Sequence, residues 1–103
     1  KSRKLKNNEY LRSMRFNYFK AMDALAAEKV DVSIVKSSMN AFYEDFETLD
    51  KKLGSDKETL LFFKAYHERI AELLAALNMT KALNLLIFYD HDHKEVYESY
   101  LKH

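Results

Sequence analysis

Leu53-Gly54-Ser55-Asp56 is the stretch on which the fold turns, because Gly54 is the only glycine in 103 residues and stands at the end of an apolar run with helical spacing. Glycine enters the left-handed backbone region that ends helices at little steric cost. Ser55 with Glu58 three residues on has the spacing of a capping box, in which each side chain accepts from an unpaired backbone N–H of a helix's first turn. One helix is therefore expected to stop at Gly54 and another to start at Ser55. Reading backwards from the glycine, Val35, Met39, Phe42, Phe46, Leu49 and Leu53 recur at alternating steps of four and three, the signature of an amphipathic helix. Asp31 or Ser33 is placed to cap its start, and Glu44, Asp45, Glu47 and Asp50 fall on its outer side.

The same periodicity extends outward in both directions. A first helix is predicted from about Asn8 to Ala27, with Leu11, Met14, Tyr18, Met22 and Leu25 along one face and Phe16 and Phe19 widening it. The helix after Gly54, from Ser55 to Leu77, carries two overlapping stripes: Leu60, Phe63, His67, Ile70, Leu74 and Leu77, and beside them Phe62, Tyr66 and Leu73. Asn78 is expected to terminate it, with Thr80 or Asn78 capping a fourth helix. From Lys81 onward Ala82, Leu86, Tyr89, His93, Val96 or Tyr97, and Tyr100 keep helical spacing, interrupted by the polar run Asp90-His91-Asp92, where a bend or break is expected.

Connections of a few residues force consecutive helices antiparallel, so the expected fold is all-α, an antiparallel up-down-up-down four-helix bundle. The alternative is a three-helix core whose fourth helix packs on a partner. Residues 1–7 read as a basic flexible N-terminal arm and 8–103 as a single helical domain. Composition agrees: 48% of residues are hydrophobic and 32% charged, the balance of a globular chain. With no proline and one glycine, the tight turns of an all-β fold are out of reach.

Several chemistries are excluded outright. The absence of cysteine removes disulfides, thiol catalysis, cysteine-ligated zinc and iron–sulfur clusters. One glycine cannot build a phosphate-cradling loop. The longest apolar runs, such as Leu60-Leu61-Phe62-Phe63, fall far short of the roughly 18 residues of a membrane span, and no secretory segment is recognisable. These features predict a cytoplasmic protein, with a targeting segment ahead of Lys1 left open.

Charge is unevenly placed. Residues 1–30 hold eight Lys and Arg against Glu9, Asp23 and Glu28, for a formal +5, leaving −4 on the other 73 residues. Lys1, Arg3, Lys4 and Lys6, continued by Arg12 and Arg15 with Tyr10 between them, are candidate nucleic-acid contacts, since cations interleaved with aromatic rings suit a phosphate backbone and stacked bases. A solvated terminus explains the same residues more simply. Asp90-His91-Asp92-His93 has metal-ligand residue types, and Asp90 with His93 has the carboxylate-x-x-His spacing of di-iron bundles, but a second such unit is missing, so no metal is expected. His67 lies on an apolar stripe and invites comparison with phosphotransfer domains that phosphorylate a helical histidine. Its neighbour Glu68 would repel a phosphate, and a half-buried boundary histidine fits better. The carboxylates Glu44, Asp45, Glu47 and Asp50 read as solvating charges.

What stands out is the aromatic load of seven Tyr and seven Phe. Phe16, Phe19, Tyr43, Phe62, Phe88 and Tyr97 are expected to flank rather than centre their faces. Aromatic rings outside a small core mark association surfaces, because they bury large area at low entropic cost; alternatively they fill the core of a small bundle. The resulting expectation is a non-catalytic helical module, an adaptor or regulator that binds another protein or a second copy of itself through Phe16, Phe19, Phe62, Tyr66, Phe88 and Tyr97. No cofactor, membrane or small-molecule substrate is inferred. An accessory nucleic-acid-binding protein is the alternative.

Overall fold

A computed structural model describes the backbone of residues 7–53 and 57–101 and the side chains of 8–49, 57–95, 98 and 99. The fold is all-α: five helices run α1 (Asn7–Ala26), α2 (Val32–Leu53), α3 (Lys57–Ala76), α4 (Thr80–Asp92) and α5 (Lys94–Leu101), with no strand among the described residues. The chain divides into two compact units, residues 1–52 and 53–103.

In the first unit, five residues separate α1 from α2, and the reversal is set by Asp31. Its Oδ1 accepts from the backbone N–H of Ser33 at 3.0 Å and of Ile34 at 3.4 Å, while its own carbonyl starts the helical ladder by accepting from Val35 N at 3.2 Å. Asp31 is thus the N-cap of α2. The Ser33 hydroxyl adds a 2.6 Å bond to the same carboxylate oxygen. That bond, with the backbone donors, holds the carboxyl below its usual 3.8, because each donor favours the ionised form.

From this cap the predicted stripe follows: Val35, Met39, Phe42, Phe46 and Leu49 are all buried. On α1 the buried side chains are Tyr10, Leu11, Met14, Tyr18 and Ala21. Two expectations for this helix are corrected. Leu25 is exposed, since the stripe reaches the last turn just before the chain leaves the helix. Phe16 and Phe19 do not widen the buried face. At 3.6 residues per turn Phe16 stands about 200° from both Met14 and Tyr18, which is the opposite side of the helix.

The second unit repeats the hairpin principle with a different punctuation. Asn78 adopts φ 58°, in the left-handed region. Met79 N–H donates to Leu74 O at 2.9 Å and Asn78 N–H to Ala75 O at 3.0 Å, the paired bonds of a Schellman motif that satisfy two carbonyls of the last turn of α3. Asparagine tolerates this backbone better than any other residue bearing a Cβ, apart from aspartate. Asn78 thus ends the third helix as expected, but neither it nor Thr80 caps the fourth. The N-cap of α4 is Met79, which has no capping side-chain oxygen, and Thr80 is already the first helical residue. The expected capping box cannot be placed, because Gly54 and Ser55 lie outside the described residues.

Both stripes of α3 are used. Leu60, Phe63, Ile70 and Leu74 are buried, as are Phe62 and Leu73, and α3 packs against both α4 and α5. Ala82, Leu86 and Tyr89 are the buried residues of α4, and the Phe63 and Tyr89 rings meet at a centroid distance of 5.0 Å. The interruption expected at Asp90-His91-Asp92 falls just after it: those residues are still helical, and the break is at His93, whose Nδ1–H donates to Tyr89 O at 2.7 Å and whose ring lies 4.2 Å from the Tyr89 ring. Since a carbonyl only accepts, the proton of the neutral imidazole is on Nδ1. A side chain folded back on its own helix competes with continuing the ladder, and α5 starts one residue later.

Candidate functional site

With the core assigned, the informative side chains are large apolar ones that the helical period turns away from it. On α1, Phe16 is 65% exposed and Phe19 43%. Phe16 lies on the side opposite Met14 and Tyr18, whereas Phe19 is about 100° round the helix from Tyr18 and its ring meets the Tyr18 ring edge-on at 5.2 Å; Arg12, Arg15, Lys20 and Asp23 are exposed on the same helix. On α4, Phe88 is 65% exposed beside half-exposed Ile87, one and two positions past Leu86 on the face away from Ala82, Leu86 and Tyr89. Leu61 on α3, and Val30, Val32 and Ile34 around the Asp31 cap, are further exposed apolar residues. Lone exposed apolar residues are ordinary on protein surfaces; adjacent aromatic and aliphatic ones on a face that the core does not need are not.

The predicted binding residues separate into three groups. Phe16, Phe19 and Phe88 are exposed, two of them in the first unit and one in the second. Phe62 is only 3% exposed, its ring 5.4 Å from Phe63 and 5.3 Å from Tyr66, and Tyr66 is half-buried. The expectation that Phe62 flanks its face is therefore corrected: its ring is buried. The Tyr97 side chain lies outside the described residues. Ile87 was not among the predicted residues, although its position next to Phe88 and off the Ala82, Leu86, Tyr89 spacing was a usable signal. Of the candidate nucleic-acid contacts, Arg12 and Arg15 are exposed on α1, while Lys1, Arg3, Lys4 and Lys6 lie outside the described residues.

Charge on the second helix lies where the period puts it. Glu44 and Glu47 are exposed, Asp45 is half-buried, and the Asp50 side chain lies outside the described set. The Tyr43 hydroxyl donates to Glu47 Oε2 at 3.0 Å. Desolvation and the adjacent carboxylate push this hydroxyl above its ordinary 10.0.

Of the polar candidates, His67 and Asp90 line an open cleft of about 300 Å³ in the second unit together with Lys64, Ala65, Glu68 and Arg69, while His91, Asp92 and His93 do not. His67 and Asp90 lie at nearly the same distance on either side of the Asn78 turn, so the antiparallel hairpin brings them together. His67 Nδ1 lies 4.0 Å from Asp90 Oδ1, too far for a hydrogen bond, and it has no hydrogen-bond partner among the described residues. His91 Nδ1 and its neighbour Asp92 Oδ1 are 3.6 Å apart on the exposed surface. Among the described residues no three His, Asp or Glu side chains converge as a metal ion would require. The cleft thus sets a histidine and two carboxylates beside the cations Lys64 and Arg69. No described helix is long and apolar enough to cross a membrane.

No family model matches this chain, and neither a curated protein nor a solved structure matches it.

Proposed function

We propose that this chain is a small non-catalytic helical interaction module that acts as an adaptor or regulator by docking other polypeptides. The observation that carries the reading is the pair Phe16 and Phe88, each 65% exposed, whereas Tyr10, Tyr18, Phe42, Phe46, Phe62, Phe63 and Tyr89 are buried. A phenylalanine in water forgoes roughly 1.5–3 kcal/mol of burial, which a partner's surface would supply. Rings of this kind serve as anchors in interfaces, because they bury much area and lose few rotamers. The basic surroundings of Phe16 and the exposed acidic residues of α2 would orient an approaching partner and speed encounter.

Native mass measurement of the untagged protein recovered from its own host tests the reading, with the Phe16→Ser/Phe88→Ser double variant recovered in parallel. The wild type is expected to carry a polypeptide or a second copy, and the variant to be recovered bare with unchanged helicity. A wild type that carries nothing, or the same species on both proteins, refutes it. Nucleic acid on the wild type alone would transfer the function to the basic residues Arg12 and Arg15.

A further inference from the structure

We infer that the cleft lined by α3 and α4 in the second unit is a binding site for a small zwitterion, a molecule that carries both an ammonium group and a carboxylate. The inference goes beyond the docking reading and does not rest on it. With about 300 Å³ the cleft stands at the lower end of the range for small-molecule sites. Its charges come from Lys64, Glu68 and Arg69 on α3 and from Asp90 on α4, and beside a neutral His67 they cancel. Lys64 and Glu68 stand four apart on one helix, a spacing at which opposite charges can pair, yet neither they nor Arg69 have an ion-pair partner among the described residues. Asp90 reaches His67 Nδ1 only at 4.0 Å. Ala65, small and exposed, leaves room among the longer side chains.

The gap between His67 and Asp90 identifies one end of the ligand. The two side chains are 32% and 43% exposed, and His67 Nδ1 is a buried nitrogen with no hydrogen-bond partner among the described residues. A nitrogen about 2.8 Å from each of two atoms that are 4.0 Å apart sees them at an angle of about 90°, close to the angle between two N–H bonds of an ammonium group. Asp90 accepts one of those bonds through its charge, and the imidazole, whose ring torsion is broad, turns a lone-pair nitrogen to accept the other. For the anionic end, Lys64 is three residues before His67 and so its neighbour on the surface of α3, and Arg69 lines the same cleft. Single charges fit less well. Phosphate would gain from Lys64 and Arg69 but meet Glu68 and Asp90. A divalent cation would meet the two cations, and no three ligand side chains converge for it among the described residues. A zwitterion gains from both signs. Charges this exposed each contribute little, so the affinity is weak, with a Kd on the order of 1 mM. Nothing along the sequence marks such a ligand, because Asp90 joins the α3 residues only through the hairpin.

Amide NMR of the isotope-labelled full chain, titrated with L-alanine, γ-aminobutyrate and ε-aminocaproate to about 50 mM each at constant ionic strength, reads the site through residues 64–69 and Asp90. At least one of the three is expected to give saturable shifts there, with the single-charge controls propionate and propylammonium weaker by about five-fold or more. Asp90→Asn and Lys64→Gln, which remove one charge from each end, are each expected to weaken the same titration by about five-fold or more. Phe88→Ser, on the other side of α4 from Asp90, is expected to leave it unchanged, which separates this site from the docking surface. All three positions are partly or fully exposed, and circular dichroism confirms folding before the titration. No saturable shift with any of the three zwitterions, equal binding of either control, or a titration indifferent to either cleft substitution overturns the inference. So do shifts that centre on Phe88, and so does saturation by inorganic phosphate or zinc alone, which would assign the cleft to that ion.

Discussion

Replacing Phe16 with serine is expected to leave stability almost untouched, whereas Phe63→Ala, on a ring of the same size, is expected to unfold much of the protein. Phe16 is 65% exposed, so only about a third of the roughly 1.5–3 kcal/mol available from burying a phenylalanine is realised there, on the order of 0.5–1 kcal/mol. Phenylalanine and serine have similar helix propensities, so the helix itself contributes little to the difference. Phe63 is 1% exposed and packed on Phe62 and Tyr89, and truncating such a ring costs about 3–5 kcal/mol once the cavity is included. Urea titration followed by far-ultraviolet circular dichroism measures both, on a domain whose total stability is expected to be about 5–15 kcal/mol. Phe16→Ser should shift the midpoint slightly and Phe63→Ala by a large fraction of the wild-type value. A loss above about 2 kcal/mol for Phe16→Ser would mean that the ring is part of the fold, and the docking reading would lose the observation that carries it.

Three further outcomes test the local structure. Ser38 is buried on the α2 stripe with its hydroxyl unpartnered among the described residues, so Ser38→Ala should raise stability by about 1 kcal/mol; a loss in the urea midpoint would show that the hydroxyl is satisfied. Because Asn78 sits at positive φ, Asn78→Gly should stabilise slightly and Asn78→Val should cost about 1–2 kcal/mol, and equal melting temperatures for the two would refute the Schellman assignment. The Asp31 carboxyl is held below 3.8, so the stability it contributes is complete above about pH 4 and is lost as pH falls through the folded-state value. Asp31→Ala should therefore melt below the wild type at neutral pH, the difference closing in acid; a gap that persists at pH 2 would assign the effect to something other than the ionised cap.

How far each of these features was legible depended on whether its cause was local. Asp31 could be read as a cap because a carboxylate beside a helix's first N–H groups needs nothing distant. The α2 stripe from Val35 to Leu49 was legible because a strict four-three spacing admits one buried side. Asn78 was recognisable as a terminator from residue type and place, but its use at the end of α3 removed it as a cap for α4. The placement of His67 opposite Asp90 required the hairpin.

By itself, then, the sequence determined an all-α chain with helices near their observed bounds, an interruption close to Asp90-His91-Asp92, and most of the residues that go inside. Only tertiary structure decided which of two apolar stripes on the same helix becomes core. Phe62 and Phe16 are the same side chain on helices with two apolar faces, and periodicity treats them alike. Phe62 is 3% exposed and Phe16 65%, although neither stands on the cleanest apolar spacing of its helix. Burial depends on what lies across the interface, and that is a property of the packed helices together rather than of the spacing along one of them.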